Sequence, residues 1–379
     1  DELSERIQTF KTAKEDKEQF QTLKDKYSRI AVLYALDHQE ENEVVKVAEK
    51  QFGRTLQTYK TFQLSQSVWD VEKPFTDQVR DLKDVDLYAG SYDWCVAQDQ
   101  SLFLKDMENG DPLKGHFVKA ISSEKCLMEV PRETHKVSEK TFLLGGGPNY
   151  YHWLIDYLPR LSCLKDQDIK IATSPLRPYQ MDALHHLGIE EERLLFLKEG
   201  QVYHMDHLIS PLCAAHDAVI HPECLAWLKR EFNFVEKPQK PRRIYINRTQ
   251  TGQRDIKNLK EITPVLEKYD VEIIHAEKLS FKEQVTLFNQ TDLVIAPHGA
   301  GLSNMVFATD AKIIELTPFI HSTQNFFSRL AKSCGHDHQF LQAVASPTAQ
   351  QVKTVHPNNY NMNVQPSVLE KAILDMLER

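Results

Sequence analysis

The sequence predicts an α/β protein with two Rossmann-like domains facing a cleft and a helical extension at its start. Three observations carry this expectation. Strand-like and helix-like runs alternate through the second half of the chain, the pattern that builds parallel sheets with right-handed crossovers. A polar, proline-rich stretch, residues 235–241, divides that alternation into two parts. At 379 residues the chain is long for one compact core, which favours two domains.

Residues 1–55 are rich in Lys, Glu, Gln and Asp. Their apolar residues Leu3, Ile7, Phe10, Phe20, Leu23, Tyr27, Ile30 and Leu33 recur at helical spacing, so this part reads as surface helices forming an amphipathic packing arm. A first domain is expected over 56–236. It opens with short strand-like runs at Tyr92–Ala97, Ser101–Leu104, Gly115–Ile121 and Lys140–Leu144. Gly145–Asn149 reads as a loop entering a helix at Tyr150–Leu164. Then come a strand at Ile169–Thr173, a helix at Tyr179–Leu187, strands at Arg193–Leu197 and Val202–Ile209, and a helix at Pro222–Phe234. A second domain is expected over 242–350, with strands at Arg243–Asn247, Val271–His275, Leu293–Ala296 and Lys312–Leu316. Its helices are placed at Leu259–Tyr269, Phe281–Asn289 and Ser322–Lys332. A tail, 351–379, ends in a helix at Pro366–Leu377.

The formal net charge of −8 argues against a nucleic-acid protein held by a broad basic face. An anionic ligand would need a local positive pocket. Six cysteines are scattered without a CxxC pair, a spacing that suits free thiols in a reducing, cytoplasmic setting. No apolar run approaches the roughly 20 residues of a membrane span. The chain starts at Asp1 rather than Met, so it is expected to be part of a longer protein, with any membrane or larger-complex association made through a segment outside it. Two sequons, at Asn247 and Asn289, occur at chance level.

Four segments could carry chemistry. In Leu293-Val-Ile-Ala-Pro-His298-Gly-Ala-Gly301-Leu-Ser-Asn304 an apolar strand runs into a Gly-rich turn, with a helix expected to start near Ser303. Glycines allow close backbone approach, and a helix N-terminus presents unpaired N–H groups, a geometry suited to a diphosphate. His298 could donate to a phosphate oxygen; a plain turn with a buried histidine is the equal alternative. Arg248, at the end of the strand Arg243–Asn247, and Arg254 beyond it could neutralise the same anion; surface arginines are the alternative. Glu315, in a buried strand, could accept hydrogen bonds from ribose hydroxyls or form a structural ion pair. Finally, Asn149 is placed to cap a helix on which His152, Asp156 and Arg160 follow at i, i+4 and i+8. They could supply a base and its orienting partner, or a helix salt bridge beside a core histidine.

The acidic pairs Asp84/Asp86 and Asp166/Asp168 and the histidine pairs His204/His207 and His336/His338 are weak metal candidates, and no metal is expected. No Gly-x-Ser-x-Gly, P-loop or Gly-x-Gly-x-x-Gly follows a strand, which removes support for hydrolases of that type, kinases and dinucleotide dehydrogenases.

In order, the segments 149–160, 243–248, 280–284, 296–304 and 314–316 resemble glycosyltransferase family 61, with His-Gly-Ala-Gly-Leu-x-Asn the most specific piece. The likeness covers roughly residues 85–345. It implies a GT-B fold, inverting transfer from a UDP-sugar to a hydroxyl of a glycan or glycoconjugate, and no obligatory metal or other cofactor. Carried over by position, His298, Gly299, Ala300, Gly301, Leu302 and Asn304 would border the donor diphosphate. Arg248 and Arg254 would bind its phosphates and Glu315 its ribose. Asn149, Tyr151 and Arg160 would lie on the acceptor side, with Asp156 the preferred base and His152 the runner-up. One departure is Asn258-Leu259, where many relatives carry Asn-Glu. Sparse cysteines and sequons favour a bacterial or viral member, with a role in capsular or cell-surface polysaccharide synthesis; a eukaryotic member would sit in the Golgi or ER lumen. A non-catalytic nucleotide-sugar or glycan-binding module and a sugar-nucleotide epimerase are the rival readings.

Overall fold

The computed structural model describes residues 45–46, 49–50, 53–63, 69–90, 94–98, 101–104, 118–120, 125–166, 168–234, 241–248, 252–319 and 325–378. The expected helices of 1–44 and most of the proline-rich stretch lie outside these residues. The described chain divides into two compact units.

The smaller unit draws on 1–63, 84–137 and 199–204. Its strands are mostly antiparallel. Leu56–Gln63 pairs antiparallel with Lys125–Glu129 and parallel with Ser101–Leu104. Ser101–Leu104 is in turn antiparallel to Trp94–Gln98. Leu56, Val85, Leu87, Tyr88, Trp94, Val96 and Met128 are buried there.

The larger unit draws on 64–83, 138–198 and 205–379 and contains two sets of parallel strands, the first belonging to an eleven-stranded mixed sheet and the second forming a sheet of its own. In the first, Thr141–Gly145 lies between Lys170–Thr173 and Val202–Pro211, and Leu194–Phe196 lies beyond Lys170–Thr173. The second has five strands in the order Val271–Ile274, Arg242–Ile246, Thr291–Pro297, Lys312–Thr317, Asp337–Gln342, all parallel. Ile244, Tyr245, Leu293, Val294, Ile295, Ile313 and Ile314 are all buried. Such continuous apolar runs are what a sheet covered on both faces demands.

The helices Leu259–Lys268, Phe281–Asn289 and Pro366–Leu377 form where expected. Ser280 and Glu283 make a reciprocal capping box on Phe281–Asn289. The terminal helix buries Leu369, Ala372, Ile373 and Met376 in the same core as Ile262, Leu266, Ile295 and Ile314, so it completes the second sheet's packing. Asn258 donates to Glu261 Oε2 at 3.0 Å and accepts from the Val364 N–H at 2.9 Å. The strand Asp337–Gln342 was not anticipated. Its sequence, Asp-His-Gln-Phe-Leu-Gln, carries too little apolar alternation to stand out, and its pairing with Lys312–Thr317 organises it.

Candidate functional site

Strand order places the site. Numbered along the chain, the five parallel strands run 2-1-3-4-5, so successive connections depart in opposite directions from strands one and three. The crevice at their carboxyl ends is where open α/β sheets bind ligands. Strand one, Arg242–Ile246, leads to Arg248 and Arg254; strand three, Thr291–Pro297, leads to His298 and Gly299.

Arg248 and Arg254 are half-buried cations close enough to perturb one another. Burial lowers the Arg248 pKa, opposed by Asp255 and Glu277. Burial and the Arg248 charge push Arg254 down to about 10, with Glu315 opposing. Arg254 adopts a left-handed backbone, φ 59°, uncommon for a residue with a side chain, and its N–H bonds Asn359 O at 3.1 Å. Its Nε is buried without a hydrogen-bond partner among the described residues. Two partly desolvated like charges at a sheet's carboxyl edge make a local positive pocket, offset in part by Asp255, Glu277 and Glu315. Arg248 reaches in because position 299 has no side chain: a Cβ there would lie 2.6 Å from Arg248 Nη1. Gly301 differs, since a Cβ there would meet Ile246 Cγ2 at an ordinary 3.6 Å.

Three strands build a relay beside this cradle. Ala296 is registered opposite Glu315 and Ile313 opposite His338. The two-residue period therefore turns 298, 315 and 338 toward one face. His298 Nδ1 lies 2.5 Å from Glu315 Oε1, and His338 Nε2 lies 2.8 Å from Glu315 Oε2. The Glu315 side chain is 0% exposed and that of His298 20%. Burial raises the Glu315 pKa, but the bonds and charge of the two histidines outweigh it and hold the carboxyl below its usual range. Glu315 thus backs His298 from the interior instead of facing a ribose; full burial removes it from ligand contact.

The Gly-rich turn also departs from expectation. The helix it caps begins at Ala300, with Gly299 as N-cap, and runs as 3₁₀ turns to Phe307. Leu302 and Asn304 are buried. Asn304 Oδ1 accepts from Tyr150 Oη at 2.6 Å, and its Nδ2 donates to Gln284 Oε1 at 2.9 Å. Their side chains support the turn and do not border a ligand.

Asn149 caps the next element as expected, its side chain accepting from the Tyr151 N–H at 2.9 Å. The run is not one α-helix: an α turn at Tyr150–His152 passes into π turns at Trp153–Tyr157 and 3₁₀ turns at Leu158–Cys163. The change of pitch breaks the single face on which Arg160 was placed. Arg160 is instead 2% exposed, donating to Leu144 O at 2.9 Å and Pro211 O at 2.5 Å, so it is an interior strut, not an acceptor-side residue. His152 and Asp156 do pair, Nδ1 to Oδ2 at 2.7 Å, with His152 51% and Asp156 17% exposed. Phe327 links this pair's element to the relay. Its ring centroid lies 5.8 Å from that of Tyr151 and 5.1 Å from that of His298. Tyr150, Gln284 and Phe327 were missed as candidate site residues, and His338 was read only as a weak metal ligand, because each acts through a partner far away in sequence.

Of the weak metal candidates, His204 lies 2.9 Å from Asp86 and His207 2.7 Å from Asp81. His336 is buried between Ala311 N and Met305 O. Cys163 and Cys334 are free thiols whose pKa values burial pushes up to about 11 and about 12.

These features define an α/β unit with a cationic cradle at the switch point of a parallel sheet. Residues 150–314 match the sequence model of the family described as Glycosyltransferase 61. His152, Asp156, Arg248, Arg254 and His298 all fall within this span. An EGF domain-specific O-linked N-acetylglucosamine transferase of Drosophila melanogaster is 39% identical over 82 residues, 21% of this chain and 16% of that protein. The chain therefore spans about a sixth of that relative's length. A dodecameric iron-containing heptosyltransferase, TibC, solved with ADP-D-beta-D-heptose, covers 62% of this chain and 67% of its own at 11% identity, with a TM-score of 0.28; so low a score carries no argument. Among the described residues no helix is long and apolar enough to cross a membrane.

Proposed function

We propose that the chain is an inverting glycosyltransferase that moves a sugar from a nucleotide-diphosphate donor, a UDP-sugar, to a hydroxyl of a glycan or glycoconjugate. The observation that carries this reading is the pair of half-buried guanidiniums, Arg248 and Arg254, at the switch point beside the His298–Gly299 turn, within the family-matched span. In this reading the two sets of parallel strands in the larger unit belong to the halves of a GT-B fold.

The arginines bind the donor diphosphate and stabilise the negative charge that grows on it as the glycosidic bond breaks. His152 takes the proton of the acceptor hydroxyl. Its Nδ1–H is held by Asp156, which leaves Nε2 as the accepting nitrogen. The sequence favoured Asp156 as base; its lower exposure and its bond to His152 favour the orienting role. Attack from the face opposite the leaving diphosphate inverts the anomeric centre, and no step calls for a metal. The free thiols support placement in a reducing compartment, and a role in surface or capsular polysaccharide synthesis is proposed with it.

The test incubates the chain with a panel of nucleotide sugars and glycan acceptors, following nucleotide release and, by NMR, the product's anomeric configuration. Selective stabilisation by UDP-sugars, transfer that survives EDTA and an inverted product are expected. Failure of every nucleotide sugar to raise the melting temperature, together with no transfer, would overturn the reading.

A further inference from the structure

We infer that Glu277 receives the ribose hydroxyls of the donor, which lies across the cradle with its nucleoside over strand two and its sugar toward His152. The inference rests on the diphosphate reading of the cradle and on His152 as the base.

The direction follows from what flanks the arginines. On the strand-three side, the His298 ring lies 5.1 Å from Phe327, Phe327 lies 5.8 Å from Tyr151, and Tyr151 lies 5.3 Å from His152. His152 must meet the acceptor hydroxyl at the anomeric carbon, so the sugar end of the donor points this way. The nucleoside then extends the opposite way, past Arg248 and over strand two, Val271–Ile274, which pairs with strand one. The carboxyl ends of these two strands meet there, the Asn247 N–H bonding Ile274 O at 2.8 Å. Arg248 follows the first strand, and the turn Ala276–Lys278 follows the second.

A ribose presents two hydroxyl donors, and an ionised carboxylate accepts two hydrogen bonds at once. Acidic side chains serve the ribose in this way in other open α/β nucleotide sites. Among the described residues, three carboxylates act on the two arginines: Asp255 and Glu277 on Arg248, and Glu315 on Arg254. Glu315 is fully buried between two histidines. Asp255 is 7% exposed and its Oδ2 accepts from the Gly252 N–H at 3.1 Å. Glu277 alone of the three reaches solvent, its side chain 49% exposed. Its neighbour His275 lies with Nδ1 3.6 Å from Glu277 Oε1, outside hydrogen-bond range, so that ring does not fix the carboxylate. Glu277 thus stands one step beyond Arg248, on the side where the ribose falls, and it favours a nucleoside with both hydroxyls in place.

Calorimetric titration with UDP and with 2′,3′-dideoxyuridine diphosphate tests the assignment. Wild type is expected to bind UDP at least about tenfold more tightly, the worth of hydrogen bonds to a charged acceptor. Glu277→Ala is expected to bring UDP down to the level of the dideoxy analogue. Affinity for the analogue should stay the same or rise, because a negative charge beside Arg248 has gone. A carboxylate that only tempers Arg248 would raise both affinities alike, and a damaged fold would lower both alike; each leaves the ratio intact. Melting curves verify that the variant is folded. A wild type without preference, or a Glu277→Ala ratio within about threefold of the wild-type ratio, overturns the role of Glu277 while leaving the diphosphate site standing. Absence of binding of both ligands to the wild type overturns the site itself.

Discussion

Replacing Gly299 by alanine separates the cradle from its surroundings. The backbone at Gly299 is extended, φ 161°, a conformation alanine adopts without strain. The added methyl would lie 2.6 Å from Arg248 Nη1, whereas ordinary contacts sit near 3.5 Å, so the guanidinium must retreat by roughly 1 Å. That is enough to break a bidentate contact with a phosphate. A charge-assisted hydrogen bond contributes about 1.5–3 kcal/mol, so UDP affinity should fall roughly ten- to a hundredfold. The clash is with the far end of a flexible side chain, so the melting temperature should move by only about 3 °C or less. Gly301→Ala is the matched control. Its methyl would meet Ile246 Cγ2 and Cδ1 at 3.6 and 3.8 Å, and alanine suits a helical turn better than glycine; affinity should stay within about twofold of wild type. Calorimetric titration with UDP measures all three proteins. Wild-type affinity in Gly299→Ala, or equal losses in both variants, would refute the assignment of Arg248 to the ligand.

His152→Ala should lower turnover by about a hundredfold or more while leaving UDP affinity unchanged, with Asp156→Asn affected less; single-turnover rates with saturating donor decide this, and unchanged rates in both variants would exclude the pair. Asn304→Ala leaves Tyr150 Oη and Gln284 Oε1 without their buried partner, so chemical denaturation should show a loss of about 1–3 kcal/mol; a neutral result would mean that the two elements are held together elsewhere. His336 accepts from Ala311 N at 3.2 Å and donates to Met305 O at 2.8 Å, which requires the neutral ring, and burial lowers its pKa. Its contribution is therefore complete above the unfolded value of about 6.5 and declines as pH falls from there through the lower folded value. His336→Gln, which can make both bonds, should flatten that decline in denaturation curves measured across this range, and identical slopes would contradict it.

Much of the site's location was legible in the chain. Asn149 precedes a helical run with no competing partner nearby, so its capping role was readable. The i,i+4 spacing of His152 and Asp156 was enough to pair them. Arg248 and His298 each follow an apolar strand, and position after a strand is a local property. Arg160 was misplaced for a physical reason. Its expected face assumed one helical pitch, whereas the packing of Trp153, Leu154, Ile155 and Tyr157 accompanies π and then 3₁₀ turns that bury the guanidinium.

By itself the sequence determined where strands and helices alternate, which loops follow strands and which residues cap helices, because propensity, periodicity and capping act over a few neighbouring residues. The tertiary structure decided which strand ends meet and which polar side chains turn inward. Strand order brought the segments after 246 and 297 to one crevice, and register set Glu315 between His298 and His338. A carboxylate that reads as ligand-facing became an interior brace because the strands on both sides supplied its partners. Such pairings join residues far apart along the chain and depend on register, which no local pattern encodes.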